Sequence, residues 1–112
     1  MTAIYIHIPF CRVHCSYCDY NAYAGMDSVI PEYISALQLE ANYYSTKEQN
    51  EITSIYIGGG TPSILSPEQL FSIFTSIQKN FNVSKDTEIT IEVNPGILNI
   101  NLLKSMYQLG IN

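Results

Sequence analysis

The chain has 112 residues, room for one domain; 46% are hydrophobic and 13% charged, with nine Tyr and four Phe, which supplies a packed core and excludes a disordered or collagen-like chain. Five Lys and Arg against ten Asp and Glu leave a net charge of −5, which argues against a surface built to neutralise nucleic-acid phosphates. No apolar run approaches the ~20 residues of a membrane span, and the opening MTAIYIHIPF has no basic leader or small-residue cleavage site, so the expected compartment is the reducing cytoplasm.

Ala3 to Ile8 is a β-rich run stopped by Pro9, and Cys11 to Ser28 reads as an irregular segment. Pro31 then opens a helix, since proline fits a first turn and pushes its predecessor out of the helical region. Ile34, Leu37, Ala41 and Tyr44 fall on one face of that helix, spaced three and four apart. Ile52 to Ile57 is the second strand, running into Gly58-Gly59-Gly60. Ser66-Pro67-Glu68-Gln69 predicts a helix start with Ser66 as cap and Gln69 closing a capping box, followed by a stripe of Leu70, Ile73, Phe74, Ile77 and Phe81. Glu88 to Val93 is the third predicted strand, broken at Asn94-Pro95-Gly96. The last predicted helix, about Asn101 to Leu109, buries Leu102, Leu103 and Met106 and ends at Gly110.

Three βα units of similar length predict parallel strands. A parallel sheet wants both faces covered, and Gly110-Ile111-Asn112 stands where a fourth strand is expected to begin. The expectation is therefore an α/β fold that forms the first part of a larger βα barrel.

All three cysteines lie at positions 11, 15 and 18. An odd number packed into eight residues is not a disulfide framework. The C-x3-C-x2-C spacing of Cys11, Cys15 and Cys18 lets three thiolates converge from one loop. A cubane 4Fe–4S centre normally takes four thiolates, so three leave one iron open, as a reactive metal centre requires. Zinc held by the three cysteines with His7 or His14 is an alternative, although zinc ligands usually come as two separated pairs. Three inert cysteines are the remaining reading. The glycine run carries no G-K-[ST], so it is not a phosphate-binding P-loop, and Ser63 breaks a G-x-G-x-x-G match.

Tyr5-Ile6-His7-Ile8-Pro9-Phe10-Cys11 with the following cysteines resembles the radical S-adenosylmethionine (SAM) superfamily. The nearest branch contains anaerobic coproporphyrinogen III oxidase and the heme chaperones similar to it. Gly58-Gly59-Gly60-Thr61-Pro62-Ser63 and Glu92-Val93-Asn94-Pro95 match the same branch in the same order, so the resemblance spans the whole chain. It implies that residues 1–112 are the N-terminal portion of a radical SAM core domain, a (β/α) partial TIM barrel, with the rest of the barrel and any accessory domain absent.

The resemblance also implies roles. Cys11, Cys15 and Cys18 would each hold one iron of a 4Fe–4S cluster, and SAM would chelate the fourth and be cleaved reductively to a 5′-deoxyadenosyl radical. Gly59 and Gly60, at the strand end where βα barrels keep their sites, would let the backbone approach the SAM methionine. Thr61 adds a hydroxyl beside them, Glu92 is the carboxylate that contacts SAM, Tyr17 packs near the adenine and Tyr5 leads into the loop. No side chain is assigned a catalytic role. His7 is expected to face inward without a function, and His14 to be solvated.

Two departures separate the branches. The oxidase carries a longer segment ahead of the first motif and a further cysteine two positions after the third, where this chain has Tyr20. Both favour the heme-chaperone branch, with heme as a further ligand, heme-accepting respiratory proteins as recipients and an electron donor for the cluster as partner. That role leaves room for peripheral membrane association. The competing expectation is oxidative decarboxylation of coproporphyrinogen III.

Overall fold

The computed structural model describes all 112 residues. Three strands, β1 (Thr2–Ile8), β4 (Ile52–Gly59) and β5 (Val83–Ile91), form a parallel sheet in the order β1-β4-β5. Between β1 and helix α1 (Ile30–Ser45) lie two short strands, β2 (Phe10–Cys11) and β3 (Tyr23–Ala24), paired parallel with each other. Helix α2 (Pro67–Asn80) links β4 to β5, and α3 (Ile100–Gln108) follows β5.

The register explains why the strands are rich in isoleucine. Ile4, Ile55 and Ile89 stand in one row across the sheet, and Ile6, Ile57 and Ile91 in the next. β-branched side chains suit the pleated surface, and these rows pack against Ile34, Ile73, Phe74, Ile77, Leu102 and Met106 of the helices. Burying a full isoleucine side chain, as at Ile6, Ile55 and Ile57, contributes about 1.5–3 kcal/mol, and the half-buried Ile4 and Ile91 less. Alternation puts Tyr5, His7, Tyr56 and Glu88 on the other face, which no helix covers; Tyr5 is 60% and Tyr56 40% exposed. Only one face of this parallel sheet is therefore helix-covered.

The helix ends follow their local signals. The Ser66 hydroxyl accepts the Gln69 N–H at 3.2 Å, and the Gln69 side chain accepts the Ser66 N–H at 2.8 Å. Asn99 caps α3 by accepting the Leu102 N–H at 2.9 Å. Gly110, at φ +85°, closes α3 with N–H bonds from Gly110 to Tyr107 and from Ile111 to Met106.

Several expectations need correction. Cys11 to Ser28 is not irregular throughout: Cys11 lies in β2, and Asp27–Val29 form a single 3₁₀ turn. A two-residue strand exists only through its distant partner, so it has no local period to read. The third long strand begins at Val83 rather than Glu88 and ends at Ile91 rather than Val93. Its register slips, Ile52 facing Val83 while Ser54 faces Glu88. The buried Thr87 stabilises that bulge, its hydroxyl donating toward the carbonyls of Ile52 and Ser84. Tyr44 is 51% exposed, because the last turn of α1 flanks the start of β1 instead of lying over the sheet. Leu103 is 45% exposed, while Leu102 and Met106 take the buried face of α3.

At the far edge, Asn112 donates its N–H to the Ile89 carbonyl at 3.1 Å and accepts the Ile89 N–H through its side chain at 3.0 Å. That is the side of the sheet where a fourth strand is expected. No helix is long and apolar enough to cross a membrane.

Candidate functional site

The C-terminal ends of β1 and β4 and the residue after β5 bring the three sequence motifs together. Where β4 ends, the Gly60 N–H reaches the Ile8 carbonyl at 2.9 Å and the Thr61 N–H reaches the Phe10 carbonyl at 2.8 Å. These bonds lay the glycine run along the entrance to the cysteine segment. A Cβ on Gly60 would stand 2.7 Å from Phe10 O and 2.8 Å from Cys11 Sγ. One on Gly59 would stand 2.7 Å from Ile8 O, and Gly59 also holds φ +122°. The packing of strand ends alone thus requires Gly59 and Gly60, before any ligand is considered.

Cys11 is buried, Cys18 half-buried and Cys15 exposed, and none is in a disulfide. The Thr61 hydroxyl donates to Cys11 Sγ at 3.4 Å, so two predicted site residues meet directly. The Cys18 N–H bonds the Cys15 carbonyl at 3.0 Å, making a turn of the last two cysteines. No three His, Cys, Asp or Glu side chains gather so that they could hold one metal ion. His7 has both ring nitrogens engaged, Nδ1 with the Tyr5 hydroxyl at 3.1 Å and Nε2 with the Asn21 carbonyl at 3.0 Å. That leaves it no lone pair free for zinc. His14 is exposed. Three free thiols on one segment are a donor set that fits a cluster in which each would bind a different iron.

Glu92 follows β5 directly, its N–H bonded to the Ile57 carbonyl at 3.0 Å. Its carboxylate is held at both oxygens. Oε1 accepts the Tyr56 hydroxyl at 2.8 Å, and Oε2 accepts the Gly59 N–H at 3.2 Å. The carboxylate beside Tyr56 holds that phenol above its ordinary pKa of 10.0, so it remains a donor. Tyr5 faces Tyr56 across the β1–β4 register, rings stacked with centroids 6.0 Å apart. Tyr5, Tyr56, Gly59 and Glu92 therefore form one group on the open face of the sheet.

Tyr17 stands apart from that group. It is 85% exposed, the neighbouring Cys15 holds its hydroxyl above the ordinary pKa of 10.0, and no hydrogen bond or ring contact joins it to Tyr5, Tyr56 or Glu92. Sequence reasoning passed over Tyr56 and gave His7 no role. The alternation Ile55-Tyr56-Ile57 already marks Tyr56 as facing away from the core, but its partner Glu92 lies 36 residues on. A further bond between motifs has no sequence signal either: the buried Ser63 hydroxyl accepts the Asn94 N–H at 3.0 Å.

Comparison with known proteins gives this geometry its context. The chain is 40% identical over 114 aligned residues to the heme chaperone HemW of Bacillus subtilis, covering 100% of this chain and 30% of that protein. It is 43% identical to HemW of Buchnera aphidicola, over 98% of this chain and again 30% of the relative. The chain thus spans about 30% of the length of these curated relatives. Its fold matches the structure of coproporphyrinogen III oxidase (HemN) from Escherichia coli, described as a radical SAM enzyme, with TM-score 0.93 and 28% identity over 98% of this chain and 26% of that one. The radical SAM superfamily profile matches residues 5–112, and with the three motifs joined at one end of a parallel sheet, the chain belongs to the radical SAM superfamily.

Proposed function

We propose that this protein is a heme chaperone that binds a 4Fe–4S cluster and SAM and delivers heme to respiratory proteins. The observation that carries this reading is the 40% and 43% identity, across nearly the whole chain, to proteins named as heme chaperones. Tyr20, where the oxidase branch has a further cysteine, supports it. On this reading residues 1–112 are the N-terminal portion of a radical SAM core working in the cytoplasm.

Cys11, Cys15 and Cys18 would hold the cluster as thiolates, with Cys11 placed by the strand pairing of β2 and by Thr61. When bound, such a cluster supplies an electron for reductive cleavage of SAM. Gly59 and Gly60 offer close backbone approach beside Cys11, Glu92 offers a charged acceptor, and Tyr5 an aromatic face. Tyr17, exposed beside Cys18, would pack near the adenine of the cofactor.

The second reading is oxidative decarboxylation of coproporphyrinogen III, favoured by the fold match to the E. coli oxidase. One preparation separates the two. The full-length protein is reconstituted anaerobically with iron and sulfide, heme is titrated in by absorbance, and SAM cleavage and coproporphyrinogen consumption are followed. Stoichiometric heme binding without porphyrinogen consumption is the expected result; porphyrinogen turnover with release of 5′-deoxyadenosine overturns it.

A further inference from the structure

The open face of the sheet holds one polar group that the motifs do not explain. Tyr56 comes two residues before the glycine run, yet its hydroxyl reaches from β4 to Glu92 Oε1, just past the end of β5, at 2.8 Å. Gly58 makes this contact possible. A Cβ there would meet Tyr56 Cε1 at 2.9 Å and the Glu92 carboxylate carbon and Oε1 at 3.2 Å. The missing side chain of Gly58 therefore leaves a passage through which the phenol and the carboxylate touch.

The geometry points to Tyr56 as a positioning residue for Glu92, one that aims the carboxylate at SAM. The inference rests on the proposed SAM-binding role of this face. An ionised carboxylate has about four acceptor positions, of which the Tyr56 hydroxyl and the Gly59 N–H occupy one on each oxygen. With both oxygens tethered, the carboxylate cannot rotate about its terminal bond, a torsion that is otherwise broad. Two acceptor positions remain free, on a side chain that is only half-buried. Tyr56 is itself held: its ring stacks on Tyr5 at an interplanar angle of 23°, and its backbone lies in β4 between β1 and β5. A tethered acceptor binds a donor more tightly than a free one because its orientation is settled before the ligand arrives.

The test separates this role from plain packing. In the reconstituted full-length protein, SAM affinity is measured by equilibrium dialysis for wild type, Tyr56→Phe, Glu92→Gln and the double variant. Cluster iron content and Tm are recorded for each. Tyr56→Phe keeps the ring and its stacking and removes only the donor. It is expected to weaken SAM binding about tenfold, as for loss of one hydrogen bond to a charged group, with iron content and Tm unchanged. The double variant is expected to bind no more weakly than Glu92→Gln alone, since the hydroxyl acts through that carboxylate.

Equal affinity of Tyr56→Phe and wild type overturns the inference, as does an unchanged penalty for Tyr56→Phe in the Glu92→Gln background. A fall in iron content or Tm that accounts for the lost affinity also overturns it, making Tyr56 a packing residue. Failure of the wild-type protein to bind SAM overturns the proposed function itself, so the two failures are distinguishable.

Discussion

Gly60→Ala tests whether the glycine run is a packing requirement of the chain itself. The added Cβ would meet Phe10 O at 2.7 Å, Cys11 Sγ at 2.8 Å and Phe10 C at 3.0 Å. Two of these atoms belong to the backbone of β2, which pairs with β3 and cannot swing aside as a side-chain tip could. Overpacking of this kind costs about 1–3 kcal/mol, a large share of the 5–15 kcal/mol that holds a typical domain together. At roughly 4–8 °C per kcal/mol in a chain of this size, Tm should fall by about 10 °C. The displaced atom is a predicted cluster ligand, so iron and sulfide content after anaerobic reconstitution should fall as well. Gly25→Ala is the control: at φ +71° it has nothing within 4 Å, so it costs only the left-handed backbone, about 1–2 kcal/mol, and should leave iron content unchanged. A Gly60→Ala protein that melts with wild type and assembles a full complement of iron would refute the reasoning.

The exposed Cys15 makes no core contact, so Cys15→Ala should abolish cluster assembly with Tm of the cluster-free protein unchanged; four irons retained with SAM bound would remove Cys15 from the ligand set. Ile57→Ala empties a position with 0% exposure at the sheet–helix interface and should cost about 2–5 kcal/mol in denaturant unfolding. Thr87→Val leaves the carbonyls of Ile52 and Ser84 without their hydroxyl donor and should cost about 1–3 kcal/mol, seen as a lower midpoint at unchanged m-value. On the alkaline side, burial holds the Tyr33 hydroxyl above its ordinary pKa of 10.0, with the Glu40 charge adding to it. The folded state binds this proton more tightly than the unfolded state. Its contribution is thus complete below 10.0 and lost as pH rises through the raised value. Tyr33→Phe should flatten the alkaline decline of Tm; an unchanged slope would show that other groups cause it.

Local signals in the sequence determined a good deal of this protein. Ser66 and Gln69 announce the start of α2, Gly110 the end of α3, and alternating isoleucines the long strands, because caps, turns and periodicity act over a few residues. The cysteine spacing and the motifs at Gly58 and Glu92 likewise mark out residues that the fold brings together at one end of the sheet. Tertiary structure alone decided the rest. It settled that Cys11 sits in a strand, that β5 starts five residues before Glu88 around a Thr87 bulge, and that Tyr44 and Leu103 face outward. It also settled that Glu92 is held by Tyr56 and Gly59 rather than standing free, and that His7 ties Tyr5 to the cysteine segment. The contacts of His7 and Glu92 depend on partners 14 to 36 residues apart, and separations of that length become contacts only when the parallel crossovers bring the strand ends side by side.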